Sequence, residues 1–277
     1  MKNHRIKFLD LKTIMITDGE QNPELVKLAK CFLQDKNYQN HKEIFKYKIA
    51  DQRCRFVYKT ELDSETYFVK KYVNRSIVKV FLDLLRTQRS VVSMLTFWHL
   101  RSKGIPTYEQ LFALIDRRKV FNRPSLVISK ECKGRTIKQL LQTEISGDDK
   151  AGLLEQWIEL YVKLLKGHVY HHDPNLSNFI LEDGVLKLID LDDIRVYPCI
   201  SDRLLKKNLK KFNKILFLAY TREKNGNIDF NNEDREYIIQ EVIKRYDNKL
   251  PLKKYLNYLE RKTKIPVFEI KRLVKVN

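Results

Sequence analysis

Residues 168–193 read HVYHHDPNLSNFILEDGVLKLIDLDD. Asp173 stands five residues before Asn178. A short apolar run follows, Phe179-Ile180-Leu181, then a turn, Glu182-Asp183-Gly184. A second run from Val185 to Ile189 ends at Asp190. Two apolar runs around a glycine turn predict a β-hairpin. Folding the chain back at that turn brings Asp173, Asn178 and Asp190 to one edge of a small sheet. Their oxygens are hard donors of the kind that hold Mg²⁺ beside a nucleotide. A lone D-x-x-x-x-N is common by chance. Joined at this distance to an apolar run, a glycine turn and L-I-D-L-D, it is specific.

Outward from this stretch the elements fall into an order. Residues 1–40 read as a short mixed extension in which NPELVKLAKCFLQ has helical spacing. Three β-like runs follow, Ile44 to Ile49, Cys54 to Thr60 and Thr66 to Val73, as an antiparallel meander. A helical stretch from Ser76 to Arg101 stops at Gly104, with Pro106 beyond it. Leu111 to Ile115 and Ser125 to Ser129 predict two more strands, joined through a charged turn. Gly134 opens a polar crossing segment, and helices are expected over Thr136 to Gln142 and Asp148 to Lys166. Trp157 has core spacing in the second of these. The order is that of an α+β, bilobal protein-kinase-like fold: an extension over 1–40, a small antiparallel β-rich lobe over 41–130, and a mainly helical lobe over 131–277. With no Pro- or Gly-rich linker between them, the lobes are expected to form one compact catalytic domain.

The 277 residues are 43% hydrophobic, enough for a real core and against bulk disorder. No apolar run approaches the roughly 18–20 residues that span a bilayer, and the charged N-terminus makes a poor signal peptide. A cytoplasmic location is expected. Cys31, Cys54, Cys132 and Cys199 are far apart and suit reduced thiols rather than a disulfide frame or zinc site. The formal net charge of +19 favours anionic partners. It is concentrated in Lys70 to Lys103, where only Asp83 opposes it, and in Arg195 to Lys214, where only Asp202 does. No nucleic-acid motif accompanies it, so nucleic acid is not the expected partner.

Phosphoryl transfer from ATP needs positioning, charge neutralisation and a group to take the hydroxyl proton. Asp173 fits the last role, and Asn178 and Asp190 fit the metal. Lys70 closes the strand Tyr67-Phe68-Val69-Lys70, where its charge would hold the nucleotide phosphates. Lys71 must point to the other face of that strand. His168, His171 and His172 form H-x-x-H-H, yet without a nearby cysteine they make a poor zinc site.

At these residues the chain resembles the bacterial lipopolysaccharide core kinases, which phosphorylate heptose or Kdo. The resemblance covers about residues 42–220: FVKKY, LRSKGIPT, SLVISKECKG, GHVYHHDPNLSNFIL, LKLIDLDD and SDRLLKKNLKKFNK. Gly167 and the form Asp173-Pro174 to Asn178 are most similar to the core heptose kinases. The resemblance implies ATP and Mg²⁺ as cofactors and Asp173 as the catalytic base. It implies Lys70, Asn178, Asp190, Glu131 and Cys132 at the nucleotide, and His171 as a brace of the catalytic loop. It also implies a lipid-anchored anionic oligosaccharide as substrate and peripheral contact with the cytoplasmic face of the inner membrane.

The chain departs from that pattern in three places. No glycine lies between Lys42 and Lys71, no acidic residue lies in 84–108 to pair with the lysine, and Asp192 stands where a glycine would follow Asp190. Two alternatives therefore accompany the heptose kinase reading: a protein kinase or kinase-like effector, and an inactive, basic membrane-binding scaffold. Asn175, where protein kinases place a lysine, and the short stretch between Asp190 and Arg203 disfavour a peptide substrate. Oligomeric state is not legible.

Overall fold

A computed structural model describes residues 5–10, 12–34, 53–74, 88–118, 124–142, 147–222, 230–247 and 249–263. The chain forms two compact units, one of residues 1–98 and 108–132, the other of 99–107 and 133–277. The expected strand at 44–49 and the first part of the helix expected from Ser76 lie outside the described residues.

The first unit holds β1 (Arg5–Asp10), β2 (Thr13–Thr17), α1 (Pro23–Leu33), β3 (Arg53–Leu62), β4 (Glu65–Asn74), β5 (Gln110–Asp116), β6 (Ser125–Lys130) and most of α2 (Arg89–Ser102). Its six strands form one antiparallel sheet in the order β1-β2-β5-β6-β4-β3. Asp63 and Ser64 both take positive φ, 52° and 64°, so the β3–β4 hairpin turns with the twist of its strands. Asn22 caps α1 through its side-chain oxygen, 2.9 Å from the Glu24 amide, and Pro23 sits at the first helical position. Leu25, Leu28, Ala29 and Leu33 then bury against Val69, Phe112, Leu114, Leu126 and Ile128. Each leucine so buried contributes about 1.5–3 kcal/mol.

Residues 5–33 are therefore part of this sheet unit rather than an extension beside it. The physical reason is the register of β2. Its inward residues are Thr13, Met15 and Thr17, two of them polar, so the alternation is masked in the sequence. The Thr17 hydroxyl meets its need by donating to the Gly19 carbonyl at 3.0 Å.

The second unit is mainly helical. It contains β7 (Arg135–Thr136), α3 (Ile137–Leu141), α4 (Gly147–Lys166), β8 (Val169–His171), β9 (Phe179–Glu182), β10 (Val185–Leu188), β11 (Ile194–Val196), α5 (Asp202–Arg222), α6 (Asn232–Tyr246) and α7 (Leu252–Thr263). Two small sheets, β10-β9-β7 and β11-β8, sit among the helices. Trp157 is fully buried, edge-on to Phe179 and Phe212, and Tyr161 stacks on Phe212 at 3.7 Å. A β-rich first unit and a helical second one make the fold α+β. Among the described residues no helix is long and apolar enough to cross a membrane.

Candidate active site

Helix α4 ends where the Gly167 amide bonds the Lys163 carbonyl at 2.8 Å, and His168, at φ 60°, turns the chain into β8. A Cβ on Gly167 would lie 2.9 Å from Ile105 Cδ1, so glycine lets the turn pack closely. Strand β8 pairs with β11, placing His171 opposite Ile194. The His172 amide continues this pairing to the Asp193 carbonyl at 2.7 Å.

The loop after β8 is organised around one carbonyl. Asp173 O accepts from the Asn175 amide at 2.8 Å and from Asn178 Nδ2 at 2.9 Å. The Asn178 amide in turn donates to Asn175 O at 2.9 Å, closing a single 3₁₀ turn over Leu176–Asn178. With its nitrogen committed to Asp173, the Asn178 side chain offers a ligand its Oδ1. The Asp173 side chain is exposed and Pro174 behind it is buried. Ile189 N donates to Asn178 O at 2.8 Å, which delivers the next residue, Asp190, to the same loop. Asp190 has φ 59° and ψ 77°. That left-handed conformation costs a non-glycine residue about 1–2 kcal/mol, and such strain is typical of a functional position.

His171 is 1% exposed. Its Nδ1 accepts from the Asp173 amide at 3.2 Å, and its Nε2 has no hydrogen-bond partner among the described residues. Burial lowers its pKa to about 4, against an opposing pull from the Asp190 charge. A neutral imidazole with its proton on Nε2 therefore braces the backbone of Asp173. Although its side chain reaches solvent, the Asp173 carboxyl is partly desolvated by the loop around it. Its pKa is shifted upward first by that desolvation, then by Asp193, with Lys211 opposing and Asp190 adding.

The structure thus gathers Asp173, Asn178, Asp190 and His171 in the second unit and places Lys70, Glu131 and Cys132 in the first. Lys70 lies on β4 opposite Val57 of β3 and Val127 of β6. Its neighbour Lys71 is buried on the other face and donates to Phe32 O at 2.7 Å beneath α1. Glu131 gives its amide to Thr66 O at 2.9 Å and its carboxylate to Lys59 at 2.6 Å. What it can offer a nucleotide is its backbone carbonyl. Cys132, half-buried, follows it. The sequence places Lys211 only in the basic run before Lys214 and gives Asp193 no role, whereas both act on Asp173. The only local signal for Asp193 is the Asp192-Asp193 pair after Leu191.

Asp190 and Asn178 fit Mg²⁺, which commonly takes one or two protein oxygens and completes its shell with water and phosphate. The description "Lipopolysaccharide kinase (Kdo/WaaP) family" matches residues 46–246. The chain belongs to this family. Membership makes it a phosphotransferase of lipopolysaccharide biosynthesis, and a kinase implies ATP as donor. Among solved structures, this lipopolysaccharide kinase is similar to that of WaaP in complex with acyl carrier protein. The TM-score is 0.57 and the identity 17%, over 81% of this chain and 88% of that chain. At that identity the likeness speaks for the fold. No curated protein matches the sequence.

Proposed function

We propose that this lipopolysaccharide kinase transfers the γ-phosphate of ATP to a heptose hydroxyl of the inner core. The acceptor is lipid-anchored and lies at the cytoplasmic face of the inner membrane. The observation that carries the reading is the Asn178–Asp173 hydrogen bond with Asp190 delivered beside it. It supports a reading in which the exposed Asp173 carboxylate meets the acceptor while the Asn178 Oδ1 and the Asp190 carboxylate are the oxygens that would hold a metal. Asp173 accepts the hydroxyl proton, and its upward-shifted pKa makes it a better base than a free carboxylate. Asn178 and Asp190 hold Mg²⁺, which neutralises charge on the phosphates. Lys70 holds phosphate oxygens, and the backbone at Glu131 and Cys132 receives the base. Heptose is preferred over Kdo on the Asp173-Pro174 form of the loop. The basic face of α5 attracts the anionic membrane and core. A protein partner of the acyl carrier type belongs to the proposal, since WaaP is found with one.

Mass spectrometry of lipopolysaccharide core from cells with and without the protein tests this reading. One phosphate on heptose is expected to be lost. Asp173→Ala should abolish transfer of labelled phosphate from ATP to dephosphorylated core oligosaccharide while leaving the thermal unfolding curve in place. Labelling confined to protein acceptors would overturn the assignment.

A further inference from the structure

We propose that Arg195, Lys207 and Lys211 form a subsite for an anionic group, a phosphate or a carboxylate, that the acceptor already carries next to the hydroxyl presented to Asp173. The proposal rests on the kinase reading above and goes beyond it to the chemistry of the acceptor.

The three cations come from β11 and α5 and lie against Tyr170 and His172, the strand end that leads into Asp173. The Lys211 ammonium donates to the His172 carbonyl, which leaves it two N–H groups for a ligand. Lys207 lies 5.5 Å from the centroid of the Tyr170 ring, a cation–π contact that holds its ammonium one turn away on the same helix face. Arg195 faces Tyr170 in the β8–β11 register, and its guanidinium donates to the Ile194 carbonyl at 2.9 Å. All three residues are exposed. Among the described residues none of them forms an ion pair with a carboxylate within 4 Å. Their combined field is felt at His172, whose pKa is lowered by burial and then by Lys211, Arg195 and Lys207, with Asp193 opposing. Cations held by carbonyls and a ring keep their full charge for an incoming anion. A lone solvated lysine would need no such seats. Lys211 also supplies, from a distant helix, a positive charge beside the base in a loop that carries Asn175 where protein kinases have a lysine.

The test is a matched set of acceptors: inner-core oligosaccharide from cells lacking the protein, whose target hydroxyl is free, the same molecule with carboxylates reduced to alcohols, and the same molecule stripped of its remaining phosphates. Wild-type kcat/KM should fall on the order of tenfold on whichever neutralised form removes the recognised group, which tells carboxylate from phosphate. Lys211→Gln, Lys207→Gln and Arg195→Gln should each raise KM on the order of tenfold for the intact acceptor. Assayed well above the acid limb set by Asp173, where the loss of Lys211's charge no longer changes the base's protonation, they should match wild type on the neutralised one. Lys211→Arg should restore the preference, and Lys163→Gln, on exposed α4 surface, should change nothing. Equal losses on charged and neutralised acceptors, or a wild type indifferent to the acceptor's charge, would refute the subsite and leave the kinase reading standing. Transfer to none of the acceptors would refute both.

Discussion

Lowering the pH from 7.5 to 5.0 protonates His171 in the unfolded chain but not in the folded one. Burial holds the folded pKa at about 4, against 6.5 for the free side chain. The sign follows from proton counting. Between the two pKa values the unfolded chain binds more protons, so stability is complete above about pH 6.5 and declines as the pH falls toward 4. Integrating over the interval gives a loss of about 2 kcal/mol at pH 5.0 and almost none at pH 7.5. His171→Asn keeps an oxygen to accept the Asp173 amide and removes the titration. Urea unfolding of both proteins at the two pH values isolates the histidine as a difference of differences, because every other titrating group is common to them. Wild type should lose about 2 kcal/mol more than the variant on acidification. Equal losses would mean that His171 binds its proton within the fold, and the neutral brace on the catalytic loop would have to be abandoned.

Three further outcomes follow from the geometry. The acid limb of kcat/KM should lie above the ordinary carboxylate range near 3.8, since burial and Asp193 raise Asp173. Lys211→Gln should move the limb higher still, because Lys211 is the group holding it down; a limb that stays put would argue against Asp173 as the titrating base. Gly134→Ala should lower stability by about 2–3 kcal/mol and Tm by about 5 °C or more. A Cβ there would fall 2.0 Å from the Leu181 carbonyl and 2.6 Å from Ile180 Cγ2. Calorimetry reads this directly, and an unchanged Tm would deny that β7 and β9 approach so closely. Lys70→Ala should remove most phosphate transfer, whereas Lys71→Ala, beneath α1, should chiefly lower Tm; the reverse pattern in paired activity and melting measurements would exchange the two lysines.

The legible parts of the fold are those whose partners are near in sequence. The hairpin at Asp183-Gly184, the glycine stop at Gly104 and the long α4 each carry a turn residue or helical spacing of their own. Gly104, at φ 63°, ends α2 with Ile105 N bonded back to Leu100 O at 2.9 Å, as a glycine after helical spacing predicts. Strands β1 and β2 were hidden for the opposite reason. β2 pairs with β5, so that Ile14 meets Ile115 and Thr17 meets Phe112. Nothing within its five residues points to a partner about 100 residues away, and its buried threonines read as polar. Lys71 shows the same limit at one residue. Alternation sends it to the face opposite Lys70, but only the fold shows that α1 covers that face and supplies the Phe32 carbonyl.

The candidate site divides along the same line. Asp173, Asn178 and Asp190 are readable because a short loop and a two-residue turn bring them together, and their spacing is itself the structure. The groups that tune them are not readable. Asp193 reaches the base through the β8–β11 pairing, and Lys211 from a helix 39 residues after His172. These two charges act on Asp173 in opposite directions. An anion seated on Lys211 would weaken the cation's hold and raise the proton affinity of Asp173 as the acceptor arrives. A subsite that recognises charge on the acceptor is thus also a means of strengthening the base only when the acceptor is in place. The acid limb of kcat, measured with acceptor bound, should therefore lie above that of kcat/KM, and the gap should close in Lys211→Gln. Coincident limbs in the wild type would show that substrate charge does not reach the base.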